Sequence, residues 1–275
     1  MTSHNVADLS AQGLTASGQR EELMEITVVG SGTAAPRLAR RQSCVVVRSG
    51  GEMMVFDLGS GAVRGMVHAG LDLFSVDRIF FTHFHPDHTV DIVPLLFAIK
   101  YGSDEERIRP LAISGPEPFR EFWRSITAVW GEWMIGDYPT QINELPVITA
   151  EPLDLPGCTL RWAPAEHRPE SIAYRLEGDG GAFVYTGDTQ YSESVVELAR
   201  GAHTMLIECS FPDNSPIPGH LTPGGVARIA SEAEVERVVL THIYPAAEGL
   251  DLVAEVGRGY DGEVVLAEDG TKFSV

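Results

Sequence analysis

The stretch THFHPDH, Thr82 to His88, places three histidines and an aspartate within six positions, directly behind the strand-like run Arg78 to Phe81. In an extended segment residues i and i+2 face the same way, so His83 and His85 can present both imidazoles to one metal ion. Pro86 supports that geometry because it biases His85 toward extended torsions. The chain then turns, leaving Asp87 and His88 for a second ion. Neutral imidazoles and carboxylates are ligands for zinc or a similar divalent metal. A solvated histidine-rich turn is the competing reading, and four ligating side chains in six positions after a strand fit it poorly.

A dinuclear site needs more ligands than one loop supplies, and isolated candidates recur at strand ends downstream. His167 closes the strand-like Leu160 to Ala163 and its short turn; Asp188 sits in TGDT after Phe183 to Tyr185; His242 follows Val238 to Leu240. Any one alone reads as an ordinary polar residue at a turn.

The pattern between these points is α/β. Strands are predicted over Ile26–Val29, Cys44–Arg48, Met53–Asp57, Arg78–Thr82, Leu111–Ser114, Thr159–Ala163, Ile172–Leu176, Phe183–Thr186, Met205–Glu208, Arg237–Thr241 and, closing the chain, Glu263–Ala267. Helices are predicted over Val63–Ala69, Thr89–Tyr101, Pro116–Val129, Glu193–Ala199, Pro223–Glu232 and Ala247–Gly257. Strands outnumber helices and several end in a polar residue and a turn, which favours a layered α/β sandwich with chemistry at the strand ends. Periodic structure begins near Met24, so residues 1–23 are expected to be a mobile extension ahead of one domain spanning residues 24–275.

Bulk properties narrow the partners. The 275 residues carry 20 basic and 39 acidic side chains, a net charge of -19 that repels polyanions from most of the surface. Cys44, Cys158 and Cys209 are widely spaced and form no CxxC pair, so they read as thiols in a reducing compartment. No secretory signal or membrane-spanning run is evident, and the expectation is a cytoplasmic protein without a membrane partner. Residues 103–146 hold three of the four tryptophans, Trp123, Trp130 and Trp133, beside Phe119, Phe122 and Tyr138. Aromatic residues at helical spacing usually pack inward, although a lid or side wall over the site is the alternative. The GSG turn at 30–32 and the Arg40–Arg41 pair are weaker signals, readable as a tight turn and as solvated surface or an anion contact.

With these residues in place the sequence resembles the metallo-β-lactamase superfamily, whose HxHxDH signature corresponds to His83, His85, Asp87 and His88. The resemblance implies a four-layer αββα sandwich. It also implies that His83, His85 and His167 hold one divalent ion, that Asp87, His88 and His242 hold a second, and that Asp188 bridges them. Zinc is the expected metal, with manganese or iron as alternatives. GSGTAAPRLARRQSC, FDLGSG, IECSF and GHLTP are similar to segments of the ribonuclease Z and phosphodiesterase branch. That branch implies roles for His220, in GHLTP, as general acid or oxyanion holder, and for Glu208, in IECSF, as its assistant. Asp87 would also orient the attacking hydroxide shared by the two ions.

Members of the branch that process tRNA carry a long arm between the third histidine ligand and the bridging aspartate. Here His167 and Asp188 are 21 positions apart, room for two strands and little else. Together with the net charge this argues against tRNA and for a small anionic or phosphodiester substrate; related enzymes are commonly homodimers. The rival reading is a lactonase or other ester or β-lactam hydrolase on the same metals, with Tyr138 or Tyr191 assisting a carbonyl oxygen. A non-catalytic metal-binding scaffold ranks below both, because all seven ligand positions are filled.

Overall fold

The computed structural model describes residues 23–103, 107–148 and 151–275. The expected extension at 1–23 therefore lies outside the described residues apart from Leu23. Three strands open the chain, β1 Glu25–Gly30, β2 Cys44–Ser49 and β3 Glu52–Phe56, in valine- and methionine-rich runs that are almost wholly buried. Helix α1 Ala62–His68, a single 3-10 turn at Leu73–Ser75 and β4 Val76–Phe80 follow. The histidine loop leads into the short α2 Pro86–Thr89, then α3 Ile92–Tyr101, β5 Leu111–Pro116, α4 Phe119–Met134 and β6 Thr140–Leu145.

The second half continues with β7 Leu153–Leu155, β8 Cys158–Pro164, β9 Ile172–Gly178 and β10 Gly181–Tyr185. After these come α5 Glu193–Ala199, β11 Thr204–Glu208, α6 Pro223–Glu232 and β12 Arg237–Thr241. Helix α7 Leu252–Val256 and strands β13 Glu263–Leu266 and β14 Thr271–Ser274 complete the chain.

The strands form two mixed sheets ordered β14-β1-β2-β3-β4-β5-β6 and β13-β12-β11-β10-β9-β8-β7. Phe56, Phe80, Trp162, Tyr174, Phe183 and Leu206 pack in the layer between them. Helices α1, α3 and α4 cover the outer face of the first sheet through Met66, Leu95 and Phe119. On the outer face of the second, α5, α6 and α7 are seated through Val195, Val226 and Leu252. The result is an αββα sandwich, because each sheet has two apolar faces to cover. No described helix is long and apolar enough to cross a membrane.

The departures from expectation are local. Strands β6, β7 and β14 were not anticipated, and the true closing strand is β14, which pairs antiparallel with β1 while β13 forms the edge of the other sheet. The helix expected over Ala247–Gly257 shrinks to α7, since Gly249 adopts φ +86 and interrupts it. In the tryptophan-rich segment Phe119 and Tyr138 are buried and Trp123 packs on the core, whereas Trp130 and Trp133 are each 49% exposed. Arg40 and Arg41 are neither solvated surface nor aimed at a substrate. Arg40 donates to Ser31 Oγ and the Ala267 carbonyl at 2.7 Å, and Arg41 binds Asp269, so the pair ties the first glycine turn to the chain's last loop.

Candidate metal centre

Strand ends position every candidate ligand. His83 and His85 follow β4 on an extended segment, with His85 at φ -60, ψ 146 ahead of Pro86. Asp87 and His88 sit on the single turn of α2, where Pro86 occupies the first helical position. His167 comes from the turn after β8, Asp188 from the loop after β10, and His242 from the end of β12. Gly187 makes the Asp188 loop possible: its φ is +56, and a Cβ there would sit 2.7 Å from the Thr82 side chain. His242 itself takes the left-handed conformation, φ 54, uncommon for a side-chain-bearing residue and concentrated at functional sites.

These seven residues converge into two clusters, His83–His85–His167–Asp188 and Asp87–His88–His242. In the first, His85 Nδ1 lies 3.1 Å from His83 Nε2 and 3.0 Å from His167 Nε2. That spacing is close to the ~3.3 Å edge of a tetrahedron with bonds of ~2.0 Å, the shape of a zinc–imidazole site. Asp188 faces both clusters. Its Oδ2 is 3.9 Å from His83 Nε2 and 3.7 Å from His167 Nε2, while Oδ1 is 3.2 Å from His88 Nε2 and 3.4 Å from His242 Nε2. Asp87 Oδ2 is 3.6 Å from His242 Nε2.

The outer nitrogens are held by the protein. His83 Nδ1 meets Thr82 Oγ1 at 3.0 Å, His88 Nδ1 meets Asp57 at 2.8 Å, His167 Nδ1 meets the Gly219 carbonyl at 2.8 Å, and His242 Nδ1 meets Ser210 Oγ at 3.0 Å. Such partners fix each ring's tautomer and orientation. By contrast His88 Nε2, Asp188 Oδ1 and His242 Nε2 are buried and have no aligned hydrogen-bond partner. Buried polar atoms left unpaired are costly. Three of them meeting at one point, flanked by the nitrogens of His83, His85 and His167, fit divalent cations as the missing partners.

The electrostatics agree. Burial carries the His83 imidazole well below its usual range, keeping it in the neutral form that binds metals. Burial also opposes charge on His88, but Asp188 and Asp57 outweigh it and hold that ring well above its usual range. For Asp188 burial is again outweighed, by His242, His88 and His83, and the carboxyl stays ionised far below its ordinary range. The pocket is built to draw positive charge.

His220 stands at the edge of this centre. It joins Asp188 and His242 in a third cluster, and its ring lies 4.8 Å from that of His167. Its Nδ1 is 3.0 Å from Glu208 Oε1. Glu208 is fully buried and also accepts from the backbone of Thr189 and Leu221 and from the Ser210 hydroxyl, so it reaches the centre through His220 and Ser210. Asp57 does similar work from the other side, accepting from Thr82 N and Oγ1, His88 and the Tyr185 hydroxyl at 2.8–2.9 Å. In the sequence Asp57 ends the predicted strand Met53–Asp57 and opens FDLGSG; that strand-end position, shared with the ligand candidates, was the available signal for a role at the centre. Neither tyrosine named for a carbonyl hydrolase reaches the centre: Tyr138 lies under Arg107, and Tyr191 bonds Glu232 beneath Arg228. The tyrosine beside the centre is Tyr244, with its ring 5.6 Å from that of His242.

Comparison with known proteins gives the same fold. Residues 64–243 match the family described as Beta-lactamase superfamily domain. Ribonuclease Z of Haloarcula marismortui is 28% identical over an alignment that covers 92% of this chain and 97% of the relative. The metallo-beta-lactamase fold protein YhfI from Bacillus subtilis superposes with a TM-score of 0.79 at 25% identity, over 93% of this chain and all of that one. The short form of human tRNase Z gives a TM-score of 0.75 at 24% identity, over 91% and 99%. A family match across the histidine loop, Asp188 and His242 places the chain in the beta-lactamase superfamily, with the metallo-β-lactamase fold.

Proposed function

We propose that the protein is a dinuclear metal-dependent phosphodiesterase for small or single-stranded phosphodiesters. The observation that carries this reading is His220, an imidazole backed by a buried carboxylate and brought to the Asp188–His242 edge of a histidine-rich metal centre. Similarity to ribonuclease Z supports the phosphodiester class. His83, His85 and His167 would hold one ion, and Asp87, His88 and His242 the other, with one oxygen of Asp188 toward each. Zinc fits the imidazole-rich set best, and manganese or iron suits the more carboxylate-rich half. When bound, such ions supply an activated water and neutralise charge that develops on phosphorus oxygens.

The chain's own residues provide the rest. Asp87 would orient that water, and Asp188, with its two oxygens turned to the two clusters, would hold both ions. Glu208 keeps a proton on His220 Nδ1 and supports the imidazolium form, whose Nε2–H can pass to the leaving oxygen. Glu208 is thus a positioning residue.

What lies between His167 and Asp188 supports a small substrate. Strands β9 and β10 occupy that interval, joined by a tight turn, so a tRNA-gripping arm has no place there. Three buried free cysteines suit a cytoplasmic protein. A homodimer through α3 and α4 is part of the reading. Phe97, Tyr101, Trp130 and Trp133 are exposed there, and Lys100, Arg120 and Arg124 outnumber Glu121 and Glu132 on a chain of net charge -19, so a second copy can approach this face.

The test pairs metal content by mass spectrometry with turnover of bis(p-nitrophenyl) phosphate, acyl-homoserine lactones and a tRNA precursor. Phosphodiester turnover with bound metal is the expected result. Lactone turnover without any phosphodiester turnover, or efficient processing of the precursor, would overturn it.

A further inference from the structure

We propose that Phe211 and Tyr244 form an aromatic wall that stacks on the nucleobase attached to the leaving-oxygen side of the scissile phosphodiester. The inference rests on the phosphodiesterase reading and names the substrate class for that site. Phe211 lies three residues past Glu208 at the end of β11, and Tyr244 two residues past His242 at the end of β12. The two rings stack on each other, with centroids 4.7 Å apart and planes 21° apart. Both stand edge-on to His220, at 5.5 Å and 61° for Phe211 and 5.8 Å and 67° for Tyr244. The wall therefore flanks the imidazole that would protonate the leaving oxygen, and the group bonded to that oxygen is the part of the substrate that meets it.

A buttress for His220 is the competing role, and the structure makes it redundant. The His220 ring is already anchored by Glu208 and lies nearly parallel to His242, 5.8 Å away at 16°. Phe211 and Tyr244 are only half-buried, whereas Phe56, Phe80 and Phe183, which do pack the interior, are at most 1% exposed. Partly open aromatic faces beside a centre of imidazoles and carboxylates offer the substrate something the ligands cannot. Among the described residues no arginine or lysine sits over either ring, as such side chains do over aromatic rings elsewhere in the molecule. The nearby Arg37 is engaged with Glu248, and Arg41 with Asp269. Recognition on this side is left to π-stacking, which accepts any base because every base presents a π face.

The test compares a thymidylyl dinucleotide with analogues in which one nucleoside or the other is replaced by an abasic sugar. Wild type should prefer the analogue that keeps the base on the leaving side. Tyr244→Leu or Phe211→Leu should raise KM for that substrate roughly tenfold, the size of one lost base–aromatic stack. The analogue abasic on that side should keep its KM, kcat and metal content should hold, and Tyr244→Phe, which retains the ring, should restore the preference. Equal losses on all substrates would mean that the rings only support His220. A base preference that survives in both leucine variants would overturn the wall alone. Turnover of none of these substrates by the wild type would overturn the phosphodiesterase reading and the wall with it.

Discussion

His220 and His88 are both imidazoles whose outer nitrogen is held by a carboxylate, yet their inner nitrogens are placed differently. The Nε2 of His88 is buried without a partner beside Asp188, whereas His220 lies at the margin, 11% exposed, with its ring against those of His167 and Phe211. On the proposed function the difference separates a ligand from a proton donor, and it can be measured. His220→Ala should keep its metal while kcat for a phosphodiester falls by about 10²–10³, the range for losing a general acid or an oxyanion donor. Loss of metal in that variant would make His220 a ligand. Asp57→Asn should behave in the opposite sense. Asp57 accepts four hydrogen bonds, three of them, His88's included, on Oδ2; an amide oxygen placed there is uncharged, so the bond that fixes the His88 tautomer weakens, and the Thr82 N–H is left facing an NH2 group. Metal affinity measured by competition with a chelator should fall about 10- to 100-fold, with kcat largely recovered at saturating metal.

Strand ends carry the chemistry at the scale of elements, and the backbone there is under constraint. Gly187→Ala places a side chain at φ +56 and a methyl against Thr82, the residue that leads into the histidine loop. A cost of about 1–3 kcal/mol in urea unfolding is expected, together with weaker metal binding, since the two strand ends must part. If the variant matches wild type in both measurements, the close approach of these loops is not what sets the ligand spacing.

These strand ends also explain which parts were legible in the sequence. Each ligand candidate follows a hydrophobic run long enough to announce itself, as Ile79 to Phe81 does ahead of His83, and the structure brings all seven together. Strand β7 has three residues and β14, TKFS, a single buried apolar side chain, too little for a periodic signal, and β6, TQINEL, alternates without an apolar face that is fully buried. Strand β14 is placed by pairing with β1 at the other end of the chain, and β7 by a tight hairpin with β8, rather than by local preference. Phe211 and Tyr244 escaped notice for a related reason: their significance comes from proximity to His220 across two strand ends, and nothing local marks it. Arg40 and Arg41 looked free because Ala267 and Asp269, which they respectively bond, lie 227 and 228 positions along the chain.

Taken as a whole, the molecule is two copies of one topology. Each sheet begins with three antiparallel pairings and switches to three parallel ones, β14-β1-β2-β3 then β4-β5-β6, and β7-β8-β9-β10 then β11-β12-β13. Asp57 and Asp188 follow the strand at the switch in each half, where ligands of α/β sheets gather. His83, His85, Asp87 and His88 come from the first half and His167, Asp188 and His242 from the second, so each proposed ion is held by both sheets at once. Metal binding should then act as a clamp across the sandwich as well as supplying the reaction. A ligand at 100 times its Kd adds about 2.7 kcal/mol to the folded state, and each kcal/mol shifts Tm by roughly 2–4 °C in a chain of about this size. Calorimetry should find Tm lower by about 5–10 °C after chelation and restored when zinc is returned. His220→Ala should show the same shift as wild type. Asp188→Asn, which weakens the bridge between the halves, should show little of it. A Tm that does not move while mass spectrometry reports the metal gone would mean that the inter-sheet core holds the two halves together unaided.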